Sequence, residues 1–188
     1  MGRLVSLLLA LALPAVAGAD PNPGSRVRLE SGSGLAVRTA LVGASQRLDS
    51  PICRRVLEDF LDGEGRALGA RLEAEGLTPQ EHLARVVFAD GAGQAACRHP
   101  GVLAATMPGS RVVYVCGTRF WRLQALDPGR AEAIVIHELL HTLGLRENPP
   151  TSRQITERVV SRCGEEYDPG RRHEAAAPPS VARRAPPP

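Results

Sequence analysis

The run His137-Glu138-Leu139-Leu140-His141 sets two imidazoles four residues apart, with a carboxylate beside the first. On an α-helix, positions i and i+4 lie one turn apart on one face, so both rings can reach a single metal ion. Glu138 is turned roughly 100° from His137, to the edge of that face, where it can act on a water without ligating metal. Zinc accepts neutral imidazoles and lowers the pKa of its bound water to about 7. The chemistry open to such a set is metal-assisted hydrolysis of a peptide bond.

The flanking residues supply a helix to hold these groups. Asp127-Pro128 has the form of an N-cap followed by proline at the first helical position. From Ala131 to Leu143 the chain has no breaker and is apolar on nearly every side, which predicts a buried helix. Gly144 then suits the left-handed residue that ends a helix.

Residues 134–147, IVIHELLHTLGLRE, resemble the active-site helix and turn of zincin metallopeptidases. Gly144 also matches the extended pattern of the metzincin branch, in which a glycine turn brings round a third ligand. That position is Glu147 here, where metzincins carry histidine, and a carboxylate oxygen is an acceptable zinc ligand. The resemblance thus implies His137, His141 and Glu147 as ligands of Zn2+, with Glu138 as general base. Metzincins also have a downstream methionine turn. The two methionines here, Met1 and Met107, are both upstream. The resemblance is therefore to zincins at large, and it covers about a dozen residues.

Another zincin branch takes its third ligand from the following helix. Thr151-Ser152-Arg153-Gln154 has capping-box form and opens a helix running to about Cys163. Ser152, Ile155, Thr156, Val159 and Cys163 share its inward face, and Glu157 lies roughly 135° away, which disfavours it as a ligand. Pro149-Pro150 predicts an extended, stiff connector before that helix. Glu165, Glu166 and Asp168 are weaker ligand candidates, and Tyr167 is a candidate for oxyanion support.

The ends of the chain speak to its address. Residues 1–19 read as a secretory signal, with a short basic start, an apolar stretch and Ala17-Gly18-Ala19 as cleavage site. The stretch is too short and too proline-interrupted to span a bilayer, and no other segment is apolar enough, so a secreted or periplasmic protein is expected. Cys53, Cys97, Cys116 and Cys163 suit two disulfides in an oxidising compartment, with three connectivities open. Long closed loops would give each about 3–5 kcal/mol in the chain-entropy model.

All 23 basic residues are arginine. Of the formal +3, Arg3 carries one and the stretch from Gly170 carries three, so the rest of the chain stands at −1. A weakly acidic body with 3% aromatic residues argues against a nucleic-acid face, while the zincin resemblance implies a peptide or protein substrate as partner. Residues 169–188 form a Pro/Ala/Arg tail expected to be disordered.

Between the ends, residues 20–48 suggest an N-terminal strand and linker segment, with strands at Arg26–Glu30 and Leu35–Val42. Residues 49–168 suggest one domain. Ser50-Pro51 opens a helix through Leu61, with Ile52, Cys53, Val56, Leu57 and Phe60 inward. Further helices are expected at Arg66–Glu75 and after Thr78. Arg85–Ala89 reads as a strand, and Val102–Thr106 with Arg111–Cys116 as a hairpin. This order gives an α+β domain, in which the zincin resemblance implies a small sheet beside the active-site helix. Arg111–Cys116 is the candidate edge strand for binding an extended peptide. His82 and His99 are expected alone on the surface, and His173 lies in the tail. An exported binding module whose metal is purely structural is the alternative to an enzyme.

Overall fold

A computed structural model describes residues 26–164. The signal expected at 1–19, the candidates Glu165, Glu166, Tyr167 and Asp168, and the tail at 169–188 lie outside the described residues.

The described chain is a mixture of helices and one small sheet. In order it forms β1 (Val27–Arg28), α1 (Ser31–Arg47), α2 (Pro51–Arg54), α3 (Leu68–Glu75), α4 (Pro79–Leu83) and β2 (Val87–Asp90). There follow β3 (Ala104–Thr106), β4 (Val112–Val115), α5 (Gly117–Leu126), α6 (Pro128–Thr142) and α7 (Ser152–Cys163). The sheet order is β1-β2-β4-β3, with β3 antiparallel to β4 and the other pairs parallel. The α+β class expected from the sequence is observed.

Helix α6 forms the centre. It packs against α1, α5, α7 and β3, which explains why its sequence is apolar on nearly every side. Asp127 caps it by accepting the Arg130 N–H at 2.9 Å, with Pro128 next, as expected. Ile136, Leu139 and Leu140 are essentially inaccessible, and each such side chain contributes about 1.5–3 kcal/mol through burial.

Several elements differ from the sequence reading. Leu35–Val42 is the middle of helix α1 rather than a strand. The stripe Ala36, Val37, Ala40, Leu41 and Ala44 is buried at helical spacing, and this packing overrides the helix-weakening glycines. Gly43 is one of those glycines, and a Cβ there would fall 2.2 Å from the carboxylate of Glu132 of α6, so it leaves room for that side chain. The helix from Ser50 is regular only to Arg54 and continues as a 3-10 turn to Leu57, leaving Ile52 exposed. Arg66 and Ala67 belong to a bridged turn, so α3 starts at Leu68. Helix α5 lies between the hairpin and α6, where the sequence reading had no element.

The hairpin is present, but β4 lies inside the sheet between β2 and β3. The edges are β1 and β3, not Arg111–Cys116. The Pro149-Pro150 connector is a tight turn rather than an extended one, with the Asn148 N–H donating to the Pro150 carbonyl at 2.8 Å. His82 is fully buried, against the surface position expected, and its Nε2 lies 3.1 Å from the Thr142 hydroxyl. His99 is exposed.

The cysteines pair as Cys53–Cys163 and Cys97–Cys116. The first ties α2 to the end of α7. The second closes only 19 residues, shorter than expected, and fastens the loop before β3 to the start of α5. Among the described residues no helix is long and apolar enough to cross a membrane.

Candidate metal centre

The end of α6 is built to turn sharply. Gly144 has φ +105°, a backbone conformation that side-chain-bearing residues rarely adopt. Its N–H donates to the His141 carbonyl at 2.9 Å, and the Leu145 N–H donates to the Leu140 carbonyl at 3.2 Å. These two bonds are the Schellman arrangement, and they reverse the chain so that Glu147 comes back beside the histidines. A bridge between Asp62 and Leu145 pins the turn from outside.

One donor atom each from His137, His141 and Glu147 converges, all within 4.8 Å of one another. The two Nε2 atoms are 3.1 Å apart, and Glu147 Oε1 lies 3.3 Å from that of His141 and 3.8 Å from that of His137. Zinc bonds of about 2.05 Å in a tetrahedron place ligand atoms about 3.3 Å apart. The donor set therefore has the size of a tetrahedral site.

The far side of each ring is also held. His141 Nδ1 lies 2.9 Å from the Leu145 carbonyl, which can only accept, so Nδ1 carries the proton and Nε2 keeps its lone pair. His137 Nδ1 lies 2.9 Å from the Thr156 hydroxyl of α7, which can accept the corresponding proton. Outer partners of this kind fix tautomer and ring orientation in metal sites. Both rings are buried. Burial, followed by the neighbouring His141, pushes the His137 pKa down to about 3, so this ring is neutral and able to ligate.

Glu138 is 5% exposed, and its Oε2 has no hydrogen-bond partner. Burial raises its pKa to about 8, with the Glu147 charge as a second cause. It lines a cleft of about 680 Å³ together with the three donor residues. Edge strand β3 forms one wall of this cleft and the first turns of α7 another. The β3–β4 turn is fastened to α6, the Gly109 N–H donating to the His141 carbonyl at 2.8 Å.

The four residues singled out from the sequence, His137, Glu138, His141 and Glu147, are therefore together. Glu157 is not. It lies on the cleft wall in an ion pair with Arg153 at 3.5 Å, outside the converging donor set. Sequence reasoning gave no role to Thr156 or to the Leu145 carbonyl. The signal for Thr156 was a polar residue between the apolar Ile155 and Val159 on the inward stripe, which must find a partner when buried. No protein-family model, curated protein sequence or solved structure matches this chain.

Proposed function

We propose that this protein is an exported zinc-dependent peptidase of zincin type. The observation carrying this reading is Glu138: a buried carboxyl with an unpartnered oxygen, in the cleft wall beside a tetrahedral-sized His-His-Glu donor set. A purely structural metal site needs no such acid. His137, His141 and Glu147 would hold the ion, and two histidines plus a glutamate is a known catalytic donor set. Bound zinc supplies a Lewis acid and makes hydroxide available near neutral pH.

The chain's own groups then do the following. In its ionised form, which the positive charge of a bound zinc would favour against burial, Glu138 takes a proton from the attacking water as the water oxygen bonds to the peptide carbonyl carbon. It returns that proton to the amide nitrogen as the C–N bond breaks. Thr156 and the Leu145 carbonyl keep both Nε2 lone pairs directed at the seat. The backbone of β3 is the edge in the cleft wall available to an extended peptide, because β4 is already paired on both sides. Export fits the two disulfides.

Zinc content and casein cleavage, measured for the native protein and for Glu138→Ala, test this reading. The expected result is one zinc per chain in both and cleavage only by the native protein. Zinc retained with no cleavage by the native protein would leave a non-catalytic module with a structural metal.

A further inference from the structure

The cleft extends well beyond the donor set, and its far end is marked by one residue. Arg130, Ile134, His137 and His141 all line it. Their spacing of four, three and four residues puts them in one row along α6. Arg130 is two turns ahead of His137, and seven residues at 1.5 Å rise is about 10 Å along the axis. An extended peptide covers about 3.3 Å per residue, so about three residues bridge that distance. The apolar Ile134 lies between.

Two cations line the cleft, Arg130 and Arg153. Arg153 is paired with Glu157 one turn on. Arg130 is exposed and its guanidinium pairs with no carboxylate among the described residues. The nearby Asp127 carboxylate instead accepts the Arg130 backbone N–H. Arg130 also occupies the first turn of α6, which contains no acidic residue. A cation is disfavoured there by the positive end of the helix dipole. Asp127 already caps the helix end, so the unpaired guanidinium is itself the seat for an anion, inside the cleft and in line with the donor set.

We propose that Arg130 selects acidic substrates, binding a carboxylate about three residues from the cleaved bond on the side that runs along Ile134. This rests on the peptidase reading. A bidentate guanidinium–carboxylate contact would give both affinity and register.

The test is the set of cut sites in a casein digest, read by mass spectrometry for the zinc-loaded native protein and for Arg130→Glu. Glutamate at this first-turn position favours the helix, so the variant should fold. The expected result is enrichment of Asp and Glu two to four residues from native cuts, replaced by Arg and Lys in the variant. For a short peptide with Glu at the preferred position, kcat/KM should fall at least about tenfold in the variant, the scale of one charge-assisted hydrogen bond. Its alanine counterpart should change less than about twofold. Native cleavage without acidic enrichment, or an unchanged pattern in the variant, overturns the role of Arg130 and leaves the peptidase reading standing. No casein cleavage by the native protein overturns both.

Discussion

The imidazole of His141 and the carbonyl of Leu145 meet at 2.9 Å across the end of α6. This contact makes the turn part of the metal seat. The same three residues after Gly144 orient one histidine and deliver Glu147, so helix termination and ligand assembly are one structural event.

Gly144→Ala should therefore damage both stability and metal binding. An alanine there must adopt φ near +105° with its Cβ 3.3 Å from that of Asp62. Left-handed backbone costs about 1–2 kcal/mol for a residue with a Cβ. Gly76→Ala is the control, with φ +64° and open space around the new Cβ. Both variants should melt lower than the native protein, and only Gly144→Ala should lose zinc affinity in a chelator competition.

Thr156→Val should lower zinc affinity about 10–100-fold, the usual cost of removing an outer-shell partner of a ligating histidine. The change keeps the shape of a buried side chain while leaving His137 Nδ1 without its 2.9 Å partner. Thr156→Ser, which retains the hydroxyl, should lose far less. Zinc affinity kept in Thr156→Val but lost in Thr156→Ser would show that the methyl group, not the hydrogen bond, matters.

The difference between what was legible in the sequence and what was not follows the range of the interactions. His137, Glu138, His141, Gly144 and the caps Asp127 and Thr151 are local in their causes, since helical spacing and N-cap chemistry act within one turn. The α1 helix was misread because its glycines argue against helix locally, while Glu132, far along the chain, requires a small residue at Gly43. The edge was misassigned for a similar reason. A hairpin is a local feature, but which of its strands pairs with β2 depends on packing against distant α6. His82 was placed on the surface because nothing near it in sequence reveals Thr142 as its partner.

That buried histidine predicts a pH dependence of stability. Burial holds His82 below its ordinary pKa. Glu75, 3.7 Å from its Nδ1, opposes this, and Arg111, Arg71 and Arg85 reinforce it. The folded chain then binds a proton at lower pH than the unfolded chain, whose histidine titrates near 6.5. Below that value the unfolded state takes up more protons, so stability is full above pH 6.5 and declines as pH falls toward the depressed folded pKa. One proton's difference is worth at most about 1.4 kcal/mol per pH unit. In zinc-free protein His137 contributes with the same sign, so the diagnostic quantity is the difference between native and His82→Leu proteins. Urea midpoints from pH 8 to pH 5 should fall less steeply in the variant, and parallel profiles would remove His82 as a cause.

The two disulfides should separate by function. Cys53–Cys163 closes a 110-residue separation and Cys97–Cys116 one of 19, worth about 5 and about 3 kcal/mol respectively in the chain-entropy model. Helix α7 has further anchors besides the first bridge. Arg162 binds Asp59 at 2.7 and 2.9 Å, and Arg47 donates to the Cys163 carbonyl. Replacing Cys53 and Cys163 with alanine should thus lower the melting temperature most, yet leave Thr156 in place and zinc affinity within about threefold of native. Replacing Cys97 and Cys116 should cost less stability but loosen the loop that carries Ala96, Gly101 and Val102 along the cleft. Its expected signature is a raised KM for peptide cleavage with zinc affinity unchanged. A larger loss of zinc than of peptide affinity in that variant would place the second bridge in support of the metal seat instead of the cleft wall.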